Sequence, residues 1–344
     1  MLKNLKNKTL HQLREIISHH TDKRYLAEYI FSFIHTKDVT NISQITPLSQ
    51  TLRQRLTSDG CFISQLKIID KIEDKDGTVK FLFELADGNK VESVLLTDNG
   101  RKTVCVSTQV GCRMGCAFCA TGLLKFKRNL NAGEIADQVN QAVGICGRIS
   151  NVVYMGMGEP MDNFEEVIRS IQILNNPAGR NIGQRHITIS TCGITEGIEK
   201  LAEHKLQVRL AVSLHAPTDS VRSQIMAVAK KYPLKTLIRS LKTYQEKTKR
   251  RITFEYCMID NLNDSSTDAH ATAKLVASLK ANINLIEYNP HDGCAFTPGS
   301  KKKIKKFAEI LSDAGIETTI RYKRGQKIKA ACGQLGSTWL SANT

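Results

Sequence analysis

Cys112, Cys116 and Cys119 stand in the run Cys-Arg-Met-Gly-Cys-Ala-Phe-Cys and put three thiolates on one short loop. Three thiolates suit a 4Fe-4S cubane with one iron left free of protein, and an open iron can take the amino and carboxylate groups of S-adenosylmethionine (SAM). An electron passed into the sulfonium then yields a 5'-deoxyadenosyl radical. The competing chemistry is a structural zinc site, which needs a fourth ligand such as Cys105 or a distant cysteine. The uneven spacing, Phe118 directly before the last cysteine, and a parallel-sheet pattern downstream favour the cluster.

Further groups suited to holding such a ligand recur at strand ends. The apolar run Val152-Val-Tyr-Met passes into Gly156-Met-Gly-Glu-Pro, where Gly158 permits close backbone approach and Glu159 can receive a cationic amino group. Ser190, Ser213, His215 and Asn289 each fall at or just after an expected strand. Singly, each is more often a capping or satisfied core residue. Cys332, in Lys-Ala-Ala-Cys-Gly-Gln-Leu, has small neighbours that leave a thiol accessible, and Cys105 lies just upstream of the cluster loop. Cys61, Cys146, Cys192, Cys257 and Cys294 read as buried inert thiols.

The elements that must position these residues follow from periodicity. Residues 1–60 carry helical spacing, as in Leu10, Leu13, Ile16 and Ile17, and predict a small helical accessory domain. Residues 61–100 alternate like strands around the turn Asp87-Gly88 and predict a β-hairpin or meander linker. Residues 101–344 alternate apolar strands with amphipathic helices, the strands starting near Val104, Val152, His186, Gln207, Ile252, Asn284 and Glu317, the last reaching Tyr322. The fold class is therefore α/β, a partial (β/α)6-type TIM-like barrel, since six or so units fit the length better than eight. The run Lys301 to Lys306 opens an amphipathic helix and reads as a solvated face.

Composition narrows the partners. The 344 residues carry 49 Lys and Arg against 33 Asp and Glu, a net charge of +16, which points to a polyanion and first to nucleic acid. No apolar run is long enough to span a membrane, and the first residues lack a signal peptide's apolar core, so a cytoplasmic protein is expected. In that setting the ten cysteines read as ligands, redox thiols and core residues, not as a disulfide framework.

Several runs carry a closer likeness: CVSTQVGCRMGCAFCATG from Cys105, FKRNLNAGEI from Phe126, YMGMGEP from Tyr154, GQRHITISTCG from Gly183, AVSLHAP from Ala211, YNP from Tyr288 and AACGQL from Ala330. In these the chain resembles the RlmN/Cfr group of radical SAM RNA methyltransferases over nearly its whole length. The resemblance implies that two SAM molecules are used per turnover. One methylates Cys332, and the other yields the radical that takes hydrogen from that methyl group. The resulting carbon radical attacks an adenine ring carbon too weakly nucleophilic for polar transfer. Glu92 would accept the ring proton, and Cys105 would release the product, leaving a Cys105–Cys332 disulfide. Gly158, Glu159, Ser190, Ser213, Leu214, His215 and Asn289 would contact SAM, with Cys112, Cys116 and Cys119 on the single cluster.

The same resemblance implies 23S rRNA and some tRNAs as partners, a flavodoxin or ferredoxin as electron donor, a monomer, and help in RNA docking from the N-terminal helices. Pro160, Ala216-Pro217 and Gly183-Gln-Arg-His look like the RlmN side, which methylates adenine carbon 2, whereas Cfr-like members methylate carbon 8 and confer antibiotic resistance. Ala227-Val-Ala and Gln326-Lys327 depart from the family pattern and bear on substrate range. Two other readings remain: a zinc-stabilised RNA-binding protein, and a radical SAM enzyme acting on a small metabolite.

Overall fold

The computed structural model describes residues 2–291, 293–321 and 323–340. Its centre is one ten-stranded sheet: β1 (Lys67–Glu73), β2 (Val79–Glu84), β3 (Lys90–Asp98), β4 (Arg101–Cys105), β5 (Asn151–Tyr154), β6 (Ile187–Thr191), β7 (Arg209–Ser213), β8 (Ile252–Met258), β9 (Ala281–Glu287) and β10 (Glu317–Arg321). Strand order in the sheet is strand order in the chain. From β1 to β4 the pairing is antiparallel, and from β4 to β10 it is parallel. The meander expected as a linker is thus built into the sheet through β3 and β4. Tyr322, the expected last residue of the final strand, lies outside the described residues.

Alternation explains the layering. In β8, Ile252, Phe254, Tyr256 and Met258 are buried in the main apolar core, while Thr253, Glu255 and Cys257 take the other, inner face. Helices cover the first face: α5 (Ala132–Cys146) after the short α4 (Ala120–Leu123), then α6 (Phe164–Asn175), α7 (Thr195–Glu203), α8 (Asp219–Ile225) with α9 (Leu234–Thr248), α10 (Ser266–Val276) and α11 (Lys301–Asp313), followed at the end of the described chain by α12 (Ser337–Leu340). Six strand-helix units followed by a seventh parallel strand result, as the periodicity indicated. In α11, Ile304, Phe307, Ile310 and Leu311 are buried, while Lys301, Lys302, Lys305 and Lys306 face water, the solvated face the basic run predicted. No helix among the described residues is long and apolar enough to cross a membrane.

Ahead of the sheet stand three helices, α1 (Leu10–Ser18), α2 (Leu26–His35) and α3 (Gln50–Ser58). Buried polar contacts weld them to α5. Lys6 Nζ lies 2.7 Å from Asp137 Oδ1, and Asp137 Oδ2 accepts from Leu66 N at 2.7 Å. Arg180 joins Asp38 and Asn140 in the same seam. A buried ion pair that loses one partner costs about 3–5 kcal/mol, so the docking is specific.

No pairing joins β10 to β1 among the described residues; the chain bridges that gap after β10. Lys323 reaches Glu287 at 2.6 Å, Arg324 donates to the Thr97 carbonyl at 2.5 Å and to Asp98 at 2.6 Å, and Gly325 N donates to Asp76 at 2.9 Å. This strap carries residues 330–336 back across the strand ends.

Candidate active site

The three-cysteine loop is held by backbone. After β4 the chain turns at Gly111, φ +74°, where a Cβ would lie 2.1 Å from the Lys125 carbonyl oxygen. Cys116 forms an antiparallel bridge with Met226, and Ala117 N donates to the Ile225 carbonyl at 2.9 Å. Cys119 then caps α4, in which a Cβ on Gly122 would stand 2.6 Å from the Cys116 carbonyl oxygen. Burial pushes the Cys112 thiol up to about 12, and burial also raises Cys116 and Cys119. The neighbouring thiols add to this at Cys112 and Cys116, so the three share one electrostatic environment. Such thiols need a nearby cation to ionise, which the irons of a cluster provide. Among the described residues no His, Cys, Asp or Glu side chains group closely enough to hold a single metal ion. A cubane makes a different demand, since each thiolate sits on its own iron.

At the strand ends, Gly158 has φ +98°, and a Cβ there would meet Gln109 at 2.5 Å. Gln109 Oε1 in turn accepts from Glu159 N at 2.9 Å. The buried Glu159 carboxylate accepts from Met161 N at 3.0 Å and Cys192 N at 2.8 Å, and burial holds its carboxyl above the usual range. Ser190 and Ser213 are half-buried on β6 and β7. The Leu214 side chain is buried in the helix-side core, so it can offer a ligand only backbone. His215 takes φ +57°; its Nδ1 accepts from Cys257 N at 2.9 Å and its ring meets Phe118 edge-on at 4.6 Å. Burial, then Arg222, lowers its imidazole to about 3, which keeps it neutral. Asn289 donates to the Cys332 carbonyl at 3.1 Å, while its own Oδ1 is buried with no hydrogen-bond partner. A buried acceptor left free is what a polar ligand would satisfy, so the donor set here fits the cofactor implied by the cysteines.

The exposed Cys332 sits on a loop docked against the cluster loop. Ala120 N donates to the Gly333 carbonyl at 2.7 Å and Thr121 Oγ1 to the Leu335 carbonyl at 2.7 Å. Gln334 donates to the Pro290 carbonyl at 2.8 Å. Burial raises the half-buried Cys105 thiol, and the charge of Cys332 is the next cause, so the two thiols are within electrostatic reach. Both are free thiols. Ser93 Oγ donates to the Cys105 carbonyl at 2.9 Å, and next to Ser93 stands the buried Glu92. One Glu92 oxygen lies 3.2 Å from Lys80 Nζ, and the other accepts from Gly336 N at 2.7 Å. Glu92, Asn289 and the Ala120–Thr121 turn after Cys119 are thus each bonded to the Cys332 segment, although they come from separate stretches of chain.

Sequence reading missed the residues that hold this assembly. The buried Arg222 donates to the carbonyls of Cys192 (2.7 Å), Leu214 (3.1 Å), Tyr232 (3.1 Å) and Ser213 (3.2 Å), tying two strand ends together. In the sequence it is one more arginine on a short helix. Glu255, bonded by Asn284 at 2.8 Å, could have been noticed as the only acid inside the apolar run of β8. Of the two departures, Ala227–Lys230 forms a turn beside Gly115 of the cluster loop, and Gln326 and Lys327 are exposed on the strap.

Comparison with known proteins matches this geometry. Residues 106–273 match the Radical SAM superfamily, and residues 3–61 match the Ribosomal RNA large subunit methyltransferase N-terminal domain. A probable dual-specificity RNA methyltransferase RlmN from Thermoanaerobacter sp. (strain X514) is 45% identical over 338 residues, covering 98% of each chain. One from Spiroplasma citri is 46% identical over 322 residues, covering 92% of each. The crystal structure of a radical SAM methyltransferase from Sphaerobacter thermophilus superposes with a TM-score of 0.91 at 41% identity, covering 97% of this chain and 99% of that one.

Proposed function

Because the chain belongs to the RlmN family of the radical SAM superfamily, we propose that it methylates carbon 2 of adenine in 23S rRNA and in the anticodon loop of some tRNAs. It would do so as a cytoplasmic monomer fed electrons by a flavodoxin or ferredoxin. The observation that carries this reading is the docking of the Cys332 loop on the cluster loop, with Ala120 N bonded to the Gly333 carbonyl, and with Cys105 within electrostatic reach of Cys332. The +16 charge supplies attraction for RNA.

Cys112, Cys116 and Cys119 would hold the cluster; Gly158, Glu159, Ser190, the Ser213–His215 segment and Asn289 would hold SAM. When bound, these groups supply the methyl group and the means of removing a hydrogen atom from it. The residues of the chain do the rest. Cys332, itself exposed although Ala331 and Gln334 beside it are buried, carries the methyl carbon to the base. Glu92 takes the proton from the substituted ring carbon, whose bonding pair stays with the adenine, and the adduct's one unpaired electron would return to the cluster that supplied the reducing electron. Cys105 as thiolate then attacks the Cys332 sulfur. The sulfur–carbon bond breaks toward carbon, which takes up a proton and leaves as the methyl group of the product, while the two sulfurs join. Reduction of that disulfide resets the enzyme.

Anaerobic reconstitution followed by mass spectrometry should show one methyl group on Cys332, and nucleosides from treated rRNA should contain 2-methyladenosine. Active enzyme with an unmodified Cys332 would defeat the mechanism. A product methylated at carbon 8 would instead assign the Cfr-like reaction.

A further inference from the structure

Lys80 and Glu92 form a buried ion pair on the inner face of the meander, with side chains 5% and 3% exposed. Their register explains the contact: Glu92 lies opposite Leu82 and Lys80 opposite Val94, so the two are diagonal neighbours on one face of the β2–β3 hairpin. A lysine at such a position keeps its charge out of water only because a counter-charge meets it. Glu92 is committed twice, because its second oxygen accepts from Gly336 N at 2.7 Å. That amide is presented by a left-handed turn, φ +84°, in which a Cβ on Gly336 would stand 2.6 Å from Leu124. Gly336 lies four residues beyond Cys332. One carboxylate therefore joins the meander to the segment that bears the reactive thiol.

We propose that Lys80 is a positioning residue for methyl transfer, and that Glu92 couples removal of the ring proton to release of the Cys332 segment. The proposal rests on the reading of Glu92 as proton acceptor. While ionised, Glu92 gives Gly336 a charge-assisted hydrogen bond, stronger than a neutral one. When the proton leaves the adenine carbon and settles on Glu92, the carboxylate becomes a neutral acid, and the electron pair of the broken C–H bond remains on the adduct. The latch to Gly336 weakens at the step before Cys105 must reach the Cys332 sulfur. Lys80 is then a buried cation without its counter-charge, which drives Glu92 to hand the proton on and re-form the pair.

The test compares wild-type holoenzyme with Lys80→Met, Lys80→Arg and Glu92→Gln, each loaded with cluster and SAM. Three quantities are read: methyl on Cys332, enzyme covalently joined to RNA after one turnover, and hydrogen exchange of the peptide covering residues 333–338. Lys80→Met should methylate Cys332 at the wild-type rate, accumulate the covalent RNA adduct, turn over at least about tenfold more slowly, and exchange faster at 333–338. Lys80→Arg, which keeps the cation, should restore turnover and protection. Glu92→Gln mimics the protonated acid at nearly constant volume and should exchange faster whether or not Lys80→Met folds. Wild-type exchange in Glu92→Gln, or a wild-type adduct level in folded Lys80→Met, would overturn the coupling. Failure of wild-type enzyme to methylate Cys332 or RNA would instead overturn the functional reading, and the exchange contrast would still decide the latch.

Discussion

The cluster loop and the Cys332 loop lie against each other and are held in different ways. The first is pinned through backbone: Gly111 and Gly122 sit where no side chain fits, and Cys116 and Ala117 pair with the Ile225–Met226 segment. The second is held by single bonds from distant elements: Glu92 of β3, Ala120 and Thr121 of α4, and Asn289 after β9. Ligands of a metal cluster must keep their spacing through every turnover. A residue that picks up a methyl group at one place and delivers it at another must not be pinned. Under the proposed mechanism, the difference separates the part that would hold a cluster from the part that would carry a carbon.

Substitutions can break that contrast. Cys112→Ala should lower cleavage of SAM to 5'-deoxyadenosine by more than about a thousandfold together with iron content, whereas Cys332→Ala should keep its iron and lose only RNA methylation. Iron analysis beside nucleoside analysis reads both. Gly122→Ala drives a Cβ toward the Cys116 carbonyl and should cost about 1–3 kcal/mol, measured as an earlier denaturation midpoint with less bound iron. Thr121→Val removes one hydrogen bond to the Leu335 carbonyl, worth about 1 kcal/mol. It should speed hydrogen exchange at 333–336 while leaving iron content unchanged; if iron fell as well, the two loops would be one unit.

The smallest effect lies in the N-terminal helices, remote from both loops. Burial, then Lys6 and Arg180, lowers His35 to about 3. The unfolded chain therefore takes a proton below about 6.5 that the folded chain refuses until about 3, so stability falls as pH drops through that window. At pH 6.0 the loss is under about 1 kcal/mol; His35→Leu should remove that component of the acid dependence in chemical denaturation.

How much of this was legible in the sequence depended on how local the signal was. The cysteines at 112, 116 and 119 were visible because a cluster needs its ligands on one loop, and the strands were visible because apolar runs recur at sheet spacing. The six strand-helix units and the helical N-terminal region followed from the same periods. Lys80 with Glu92 was not visible as a pair, because alternation shows that residues share a face but not which face is inner. Arg222 was hidden for a different reason: its partners are backbone carbonyls, which every residue has. The placement of the meander inside the sheet was also out of reach, since an antiparallel hairpin reads the same whether it stands alone or joins a neighbour.

Strand order that follows chain order has a consequence for how the molecule is made. Each strand pairs with the one synthesised just before it, so the sheet can grow by short loop closures as the chain leaves the ribosome, N-terminal part first. The contacts that finish the pocket are of another kind: Gly336 to Glu92 spans 244 residues, Arg324 to Thr97 spans 227 and Leu335 to Thr121 spans 214. They can form only on a sheet that already exists. A nascent chain therefore has Cys112, Cys116 and Cys119 well before Cys332, and the Cys332 segment meets the strand ends only when folding is nearly over.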